Sequence, residues 1–215
     1  MHSNAPTDRP CPPPRSVLLA LLGGVASGKS TVARLLAGPD GAILAADAYA
    51  HEVLEAPETI AWLVRHFGPE VLDAAGHPDR PTLARRVFGD AAERKALEDW
   101  IHPRVRAKIF ADLARARERG APRIVLDVPL LMESTGLADL RAEVDLLVFL
   151  DVPLAERERR AGVQRGWAPG EVARREAAQM PLDEKRKAAH HILDVSGSLA
   201  DVERQVNDLL ASLGV

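Results

Sequence analysis

The hydrophobic positions of this chain fall into short runs separated by longer amphipathic segments. Five runs have the length of a strand: 17–22, 42–45, 123–128, 144–151 and the short run 191–193. The first is apolar at every position and ends at two glycines, a pattern typical of a strand that is buried on both faces of a sheet. The pattern therefore predicts five strands.

The segments between these runs carry helical spacing. We expect helices over 30–37, 49–66, 81–87, 91–119, 155–164, 169–179 and 199–213. Strands that alternate with helices predict an α/β fold, with a five-stranded parallel sheet that has helices on both faces. The interval from about 50 to 120 has helical pattern and no convincing strand, so we expect an inserted helical lobe within one domain over 16–215.

Residues 1–15 are rich in proline, which disfavours helices and strands, and we expect a disordered tail there. Cys11 is the only cysteine, which excludes an internal disulfide. The apolar run after the tail is too short for a signal peptide, and no run approaches the roughly 18–20 apolar residues that span a bilayer. A net charge of −3 gives no bulk attraction to nucleic acid. We expect a cytoplasmic protein without membrane or nucleic-acid partners.

A glycine-rich motif follows the first predicted strand. Gly23, Gly28, Lys29 and Ser30 meet the pattern Gly-x4-Gly-Lys-Ser/Thr. In such a loop, successive N–H groups point into one concavity and hold phosphate oxygens at the positive end of the next helix. Lys29 is expected to reach the β- and γ-phosphates and Ser30 to ligate Mg²⁺ as the cofactor. The predicted ATP- or GTP-binding residues are Gly23, Gly24, Val25, Ala26, Ser27, Gly28, Lys29, Ser30 and Thr31.

The loop alone does not identify the acceptor of the phosphoryl group. GTPases read guanine with an Asn-Lys-x-Asp-like motif after a late strand, but here Leu150 leads into Asp-Val-Pro-Leu. Motors and helicases are usually larger. A short chain with a helical insertion after the second strand instead favours a kinase that acts on a small molecule.

Two carboxylates lie near the ends of predicted strands. Asp47 follows the second strand, and ligands of parallel sheets bind beyond the carboxyl ends of the strands. Asp47 is therefore expected to face Lys29 and to accept or orient the proton of an attacking hydroxyl; the alternative is an N-cap for the next helix. Asp127 ends the third strand and is a candidate contact to magnesium through a water, with a strand-end cap as the alternative.

Several separate segments together resemble the dephospho-CoA kinases, which phosphorylate the ribose 3′-hydroxyl of dephospho-CoA in the last step of CoA synthesis. The loop is similar to the family's Gly-Gly-Ile-Gly-Ser-Gly-Lys-Ser-Thr, and 128–133 resembles its Pro-Leu-Leu-Phe-Glu segment. The other matching positions are Ala46-Asp47, 50–53, Arg80, Leu83, 86–88, Leu97, 101–103, Arg160, Arg165, Gln179, Lys185 and 196–198.

The resemblance also implies roles for particular residues. Arg160 and Arg165 are expected in a lid over about 155–185, where a guanidinium stabilises charge on the transferring phosphoryl group. The neighbouring Arg157 and Arg159 are interpreted as part of a solvated basic face. The expected catalytic residues are Asp47, Lys29, Arg160 and Arg165, and the expected acceptor-binding residues are Asp47, Arg86, His102, Pro129, Leu130 and Glu133.

Two departures from the family pattern keep other functions open. Ala26 stands where the family usually has glycine, and Ala45 replaces the first Asp of its Asp-x-Asp segment. The alternatives are a kinase for another small hydroxyl or nucleotide acceptor, and a nucleotide-binding regulator with weakened catalysis. On the main interpretation the partners are ATP and dephospho-CoA, and the protein is a monomer or a weak homo-oligomer.

Overall fold

The computed structural model describes residues 15–177 and 179–214. The predicted disordered tail, including Cys11, lies outside the described residues except for Arg15. The guanidinium of Arg15 donates to the Asp145 carboxylate at 3.0 Å, at the amino-terminal edge of the sheet. No helix within the described ranges is both long and apolar enough to cross a membrane.

Five strands form one parallel sheet in the order β2-β3-β1-β4-β5. The central strand β1 is buried on both faces, as its apolar run predicts. Its central position places the loop that follows it in the middle of the carboxyl edge of the sheet. The bounds agree with the sequence prediction to within one or two residues: β1 (Val17–Gly23), β2 (Ala42–Ala45), β3 (Arg123–Asp127), β4 (Leu146–Asp151) and β5 (His191–Asp194).

Helices cover both faces of the sheet, as predicted. On one face, α1 (Lys29–Ala37) and α10 (Leu199–Leu213) bury an apolar stripe against β1, β4 and β5. On the other face, the second half of α5 (Ala91–Glu118) packs on β1, β2 and β3. The remaining helices of the described chain are α2 (Ala46–Leu54), α3 (Pro57–Phe67), α4 (Arg80–Gly89), α6 (Ala138–Ala142), α7 (Leu154–Arg165), α8 (Glu171–Glu176) and α9 (Leu182–Ala188).

The insertion between β2 and β3 is helical and has a small core of its own. Leu63 and Phe67 of α3 pack with Val71, which lies in the 3-10 turn Pro69–Val71, and with Leu83 of α4. The side chain of Asp90 accepts the N–H groups of Ala92 and Glu93 and thereby caps the start of α5. We call residues 46–118 the helical lobe.

Two predicted helices were wrong in extent. The single helix predicted over 49–66 is two helices, because Pro57 excludes the helical conformation for Ala56, which is extended at φ −68° and ψ 137°. The helix predicted over 169–179 is confined to α8. The short helix α9 begins after Pro181, with Asp183 in its first turn, and was not predicted.

Candidate active site

The phosphate loop connects β1 to α1, as its sequence predicts. Gly28 adopts φ 91° and ψ 20° at the N-cap position of α1, a left-handed conformation that glycine adopts without steric cost. The first turn of α1 contains no acidic side chain. The positive end of its dipole therefore has no carboxylate of its own helix beside it, and it suits a bound anion.

Lys29 lies folded onto the loop that precedes it. Its ammonium donates to the carbonyl oxygens of Gly24 at 2.8 Å and Gly23 at 3.3 Å. Burial lowers the pKa of Lys29, while the carboxylate of Asp127 acts in the opposite direction and the ammonium of Lys185 adds to the lowering. The Lys29 ammonium is thus held against the loop, with the charges of Asp127 and Lys185 close by.

Two carboxylates share this region at the carboxyl edge of the sheet. Asp127 ends β3 and stands in register with Ala45, the last residue of β2. Asp47 follows β2, as predicted, and lies in the first turn of α2, which begins at Ala46. Ala45 is the N-cap residue of α2, so the alternative that Asp47 is the N-cap is wrong. Burial raises the pKa of Asp127; the negative charge of Asp47 adds to this, and Lys29 opposes it.

A large cleft opens between the phosphate loop and the helical lobe. Its volume is about 1880 Å³, compared with about 300–1,000 Å³ for a typical small-molecule site. This volume accommodates a nucleotide together with a second substrate. The lobe side is formed by α5 residues such as His102 and Phe110 and by Phe88, which is 76% exposed.

The cleft brings together most of the predicted site residues. Those that line it are 25–31 of the loop, Asp47, His102, Asp127, Pro129, Leu130, Glu133, Arg160 and Arg165. Gly23, Gly24 and Arg86 do not line it. Instead, Arg86 donates to the carbonyl oxygen of Phe67 at 3.3 Å and lies 3.6 Å from the carboxylate of Glu93. The structure therefore places Arg86 in contacts internal to the helical lobe.

Glu133 connects the segment after β3 to the segment before α9. Its carboxylate accepts the N–H of Met180 at 2.9 Å and the ammonium of Lys185 at 2.8 Å. Burial alone would raise the pKa of Glu133, but these two donors together hold it below its ordinary value. Lys185 is 1% exposed and also donates to the side chain of Gln179.

The predicted lid region contributes arginine side chains to the lining of the cleft. Arg160 donates to the carbonyl oxygen of Val195 at 2.6 Å and pairs with Glu156 at 2.8 Å. A Cβ placed on Gly28 would lie 3.6 Å from the Arg160 guanidinium, so this side chain stands beside the phosphate loop. Arg165 lies over the ring of Trp167, which also lines the cleft.

The interpretation of Arg157 as part of a solvated basic face was wrong. Arg157 is 4% exposed and pairs with Glu176, whose carboxylate accepts the N–H of Val25 in the phosphate loop. The sequence contains no local signal for this contact, because it depends on how α8 approaches the loop. Trp167 also lines the cleft, although its isolated position in the sequence favoured a role in packing alone.

Comparison with known proteins agrees with this arrangement. The sequence model of the dephospho-CoA kinase family matches residues 17–201. A dephospho-CoA kinase of Symbiobacterium thermophilum is 42% identical over 192 residues, which cover 88% of this chain and 78% of that protein. A dephospho-CoA kinase of Deinococcus radiodurans is 39% identical over 206 residues, which cover 96% of this chain and 97% of that protein.

Solved structures of similar fold cover most of this chain. A protein from Thermus thermophilus superposes with a TM-score of 0.75 and 39% identity, over 93% of this chain and 98% of that chain. A shikimate kinase from Bacteroides thetaiotaomicron superposes with a TM-score of 0.52 at 17% identity, over 93% of this chain and 99% of that chain, and shares the P-loop kinase fold alone. The family match spans most of the chain, and the two relatives are similar over 78% and 97% of their own length. This chain belongs to the dephospho-CoA kinase family.

Proposed function

We propose that this protein transfers the γ-phosphoryl group of Mg·ATP to the ribose 3′-hydroxyl of dephospho-CoA and releases CoA and ADP. The observation that carries the proposal is the cleft, in which a phosphate loop and the carboxylate of Asp47 stand together with room for two substrates. Transfer of a phosphoryl group needs the donor and acceptor to be held in line, and a shared cleft provides that arrangement.

The phosphate loop is assigned to the donor. The amides around Gly28 and the positive end of α1 would hold the phosphate oxygens, and Lys29 would leave the carbonyl oxygens of the loop to pair with the β- and γ-phosphates. Arg160, which already stands beside the loop, would stabilise negative charge that develops on the transferring group; Arg165 is assigned the same role on closure of the lid region. Closure would also exclude water and limit wasteful hydrolysis of ATP.

Asp47 is assigned to the acceptor. Its carboxylate lies in the first turn of α2, lines the cleft and acts on the pKa of Lys29. It would accept a hydrogen bond from the attacking hydroxyl. That bond orients the oxygen toward the γ-phosphorus, and the proton passes to the carboxylate as the new P–O bond forms. His102, Pro129, Leu130 and Glu133 are proposed to line the space for the rest of the acceptor.

The donors in the cleft suit magnesium. The hydroxyl of Ser30 and the carboxylate of Asp127 are hard oxygen ligands, the type that Mg²⁺ prefers. In the described residues no group of three or more His, Cys, Asp or Glu side chains forms a ready-made metal cage, which fits an ion held mainly by phosphate oxygens and water. Ser30 would hold it directly and Asp127 through a water. When bound, Mg²⁺ neutralises charge on the phosphates.

The proposed reaction needs one copy of the chain, because the cleft contains the residues assigned to both substrates. We therefore propose a monomer or a weak homo-oligomer, and we propose that it works in the cytoplasm.

Substitution of Asp47 by Asn tests the assignment of the acceptor side. An amide preserves the shape but does not accept the hydroxyl proton, so we expect kcat to fall by about 100-fold or more. The KM for ATP should stay within about threefold, because the phosphate loop is unchanged. Asp40→Asn, in an exposed turn outside the cleft, is the matched control. An unchanged kcat in Asp47→Asn would show that the assigned role is wrong.

A further inference from the structure

A buried ion pair lies against the phosphate loop. Arg157 of α7 is 4% exposed and pairs with Glu176, the last residue of α8. The Arg157 Nε atom also donates to the carbonyl oxygen of Val152 at 3.1 Å, just beyond β4. The pair is thus anchored to the sheet on one side and to the predicted lid region on the other.

This pair contacts both backbone polar groups of one loop residue. The Glu176 carboxylate accepts the N–H of Val25 at 2.6 Å, and the Arg157 guanidinium lies 3.4 Å from the carbonyl oxygen of Val25. An ionised acceptor makes a stronger hydrogen bond to a backbone N–H than a neutral one does. Val25 is therefore held from one side by two charged groups.

The neighbouring residue shows how closely the pair approaches the loop. A side chain on Gly24 would collide with the Glu176 carboxylate and with the Arg157 guanidinium. The carbonyl oxygen of Gly24 accepts the Lys29 ammonium at 2.8 Å. The first half of the loop is thus fixed on both sides, while residues 26–31, which follow Val25, line the cleft.

The negative charge of Glu176 has to be balanced if the loop is to bind phosphates. A lone carboxylate at this position would repel the phosphates of a nucleotide. Arg157 balances that charge, so the carboxylate can hold Val25 without making the loop anionic. A neutral side chain at position 176 would avoid the repulsion but would lose the charged acceptor for Val25.

We infer that Arg157 and Glu176 are positioning residues for the phosphate loop: together they fix Val25 and so set the loop amides in the geometry that binds the phosphates of ATP. The inference rests on the proposed function for its ligand, ATP, but not for the identity of the acceptor. A purely structural role would predict that the pair affects stability and leaves the loop unchanged.

Two variants separate these roles. Glu176→Asp keeps the charge that pairs with Arg157, but the side chain is one methylene shorter and falls short of the Val25 N–H. The double variant Arg157→Met/Glu176→Leu removes both charges and fills a similar volume, a replacement that is often neutral or stabilising for buried pairs. Arg159→Met, which removes an exposed ion pair from the same helix, is the control.

The readouts are amide hydrogen exchange of Val25 measured by NMR without ligand, ATP affinity measured by calorimetry, and steady-state kinetics. We expect Val25 to exchange at least tenfold faster in both variants and ATP to bind about tenfold more weakly. The KM for dephospho-CoA should stay within twofold, and Arg159→Met should match the wild type. If the double variant does not fold, Glu176→Asp decides alone.

Wild-type exchange of Val25 together with wild-type ATP affinity in a folded variant would overturn the inference. Exchange and ATP binding are both measured without an acceptor. Failure of the wild-type protein to phosphorylate dephospho-CoA would therefore refute the proposed function and leave the result on Val25 intact.

Discussion

Replacing Glu133 by Gln tests how the segment before α9 is held to the sheet. Lys185 has a side-chain exposure of 2%, and the Glu133 carboxylate is its only charged partner within the described residues. Glutamine has nearly the same shape, so the substitution removes the charge and leaves the packing in place. The Lys185 ammonium would then keep only neutral acceptors: the amide oxygen at position 133, the Gln179 side chain at 3.2 Å and the Pro129 carbonyl oxygen at 3.5 Å.

The expected loss in the free energy of unfolding depends on how exposed Glu133 and Lys185 are. Removing one member of a buried pair costs about 3–5 kcal/mol of the free energy of unfolding, and the 21% exposure of Glu133 places this site near the lower end, at about 3 kcal/mol. Lys185→Met should cost less, about 1–2 kcal/mol, because Glu133 then keeps the Met180 N–H and some contact with water.

Urea unfolding followed by tryptophan fluorescence at pH 7 measures both losses. With a slope near 2 kcal/mol per molar urea, the Glu133→Gln midpoint should fall by about 1.5 M. Asp99→Asn, which breaks the exposed Lys95–Asp99 pair, is the control and should cost less than about 1 kcal/mol. A larger loss of stability for Lys185→Met than for Glu133→Gln would show that the exposure of the remaining partner does not set the cost.

Two further predictions concern the cleft. The pKa of Asp127 is raised, so the stability that this group contributes is complete below its ordinary pKa of 3.8 and is lost as the pH rises through the folded-state pKa. Asp127→Asn should therefore raise Tm at pH 7.5, by an amount that shrinks as the pH approaches 3.8. The same substitution should slow turnover. A Tm at pH 7.5 below that of the wild type would contradict the desolvation argument. Ala26 is the only non-glycine residue with a positive φ (60°) in the described chain. This left-handed conformation costs about 1–2 kcal/mol for an L-residue. Glycine adopts it freely but lowers stability by about 0.4–1 kcal/mol through the entropy of the unfolded chain. Ala26→Gly should thus raise the free energy of unfolding in urea by up to about 1.6 kcal/mol without weakening ATP binding. A loss of stability would show that Ala26 is not strained.

The sheet and the phosphate loop could be predicted because their signals are local. A continuous apolar run such as 17–22 fits a central strand, and the Gly-x4-Gly-Lys-Ser pattern requires the bend that Gly28 provides. Helix boundaries were less accurate where one residue interrupts the pattern. The helical spacing continues across Ala56, and the effect of Pro57 on the residue before it was overlooked.

The contacts of the lid region could not be predicted for a different reason. Arg157 and Glu176 are 19 residues apart, and neither has a residue of opposite charge three or four positions away, the spacing at which side chains on a helix meet. Their pairing depends on the approach of α8 to the phosphate loop, which no sequence spacing encodes. The same holds for Lys185, whose burial against Glu133 follows from the packing of α9 and not from a pattern within it.

The central claim is that this protein phosphorylates dephospho-CoA with ATP. The most direct test is the release of ADP by the purified protein with Mg·ATP, compared between dephospho-CoA, gluconate, CMP and no acceptor, with the product from dephospho-CoA identified as CoA by mass spectrometry. Lys29→Ala, purified in the same way, controls for contaminating kinases and should show little turnover. We expect ADP release that depends on dephospho-CoA and equals the CoA formed. Turnover that depends on gluconate or CMP, or ADP release that no acceptor increases, would contradict it.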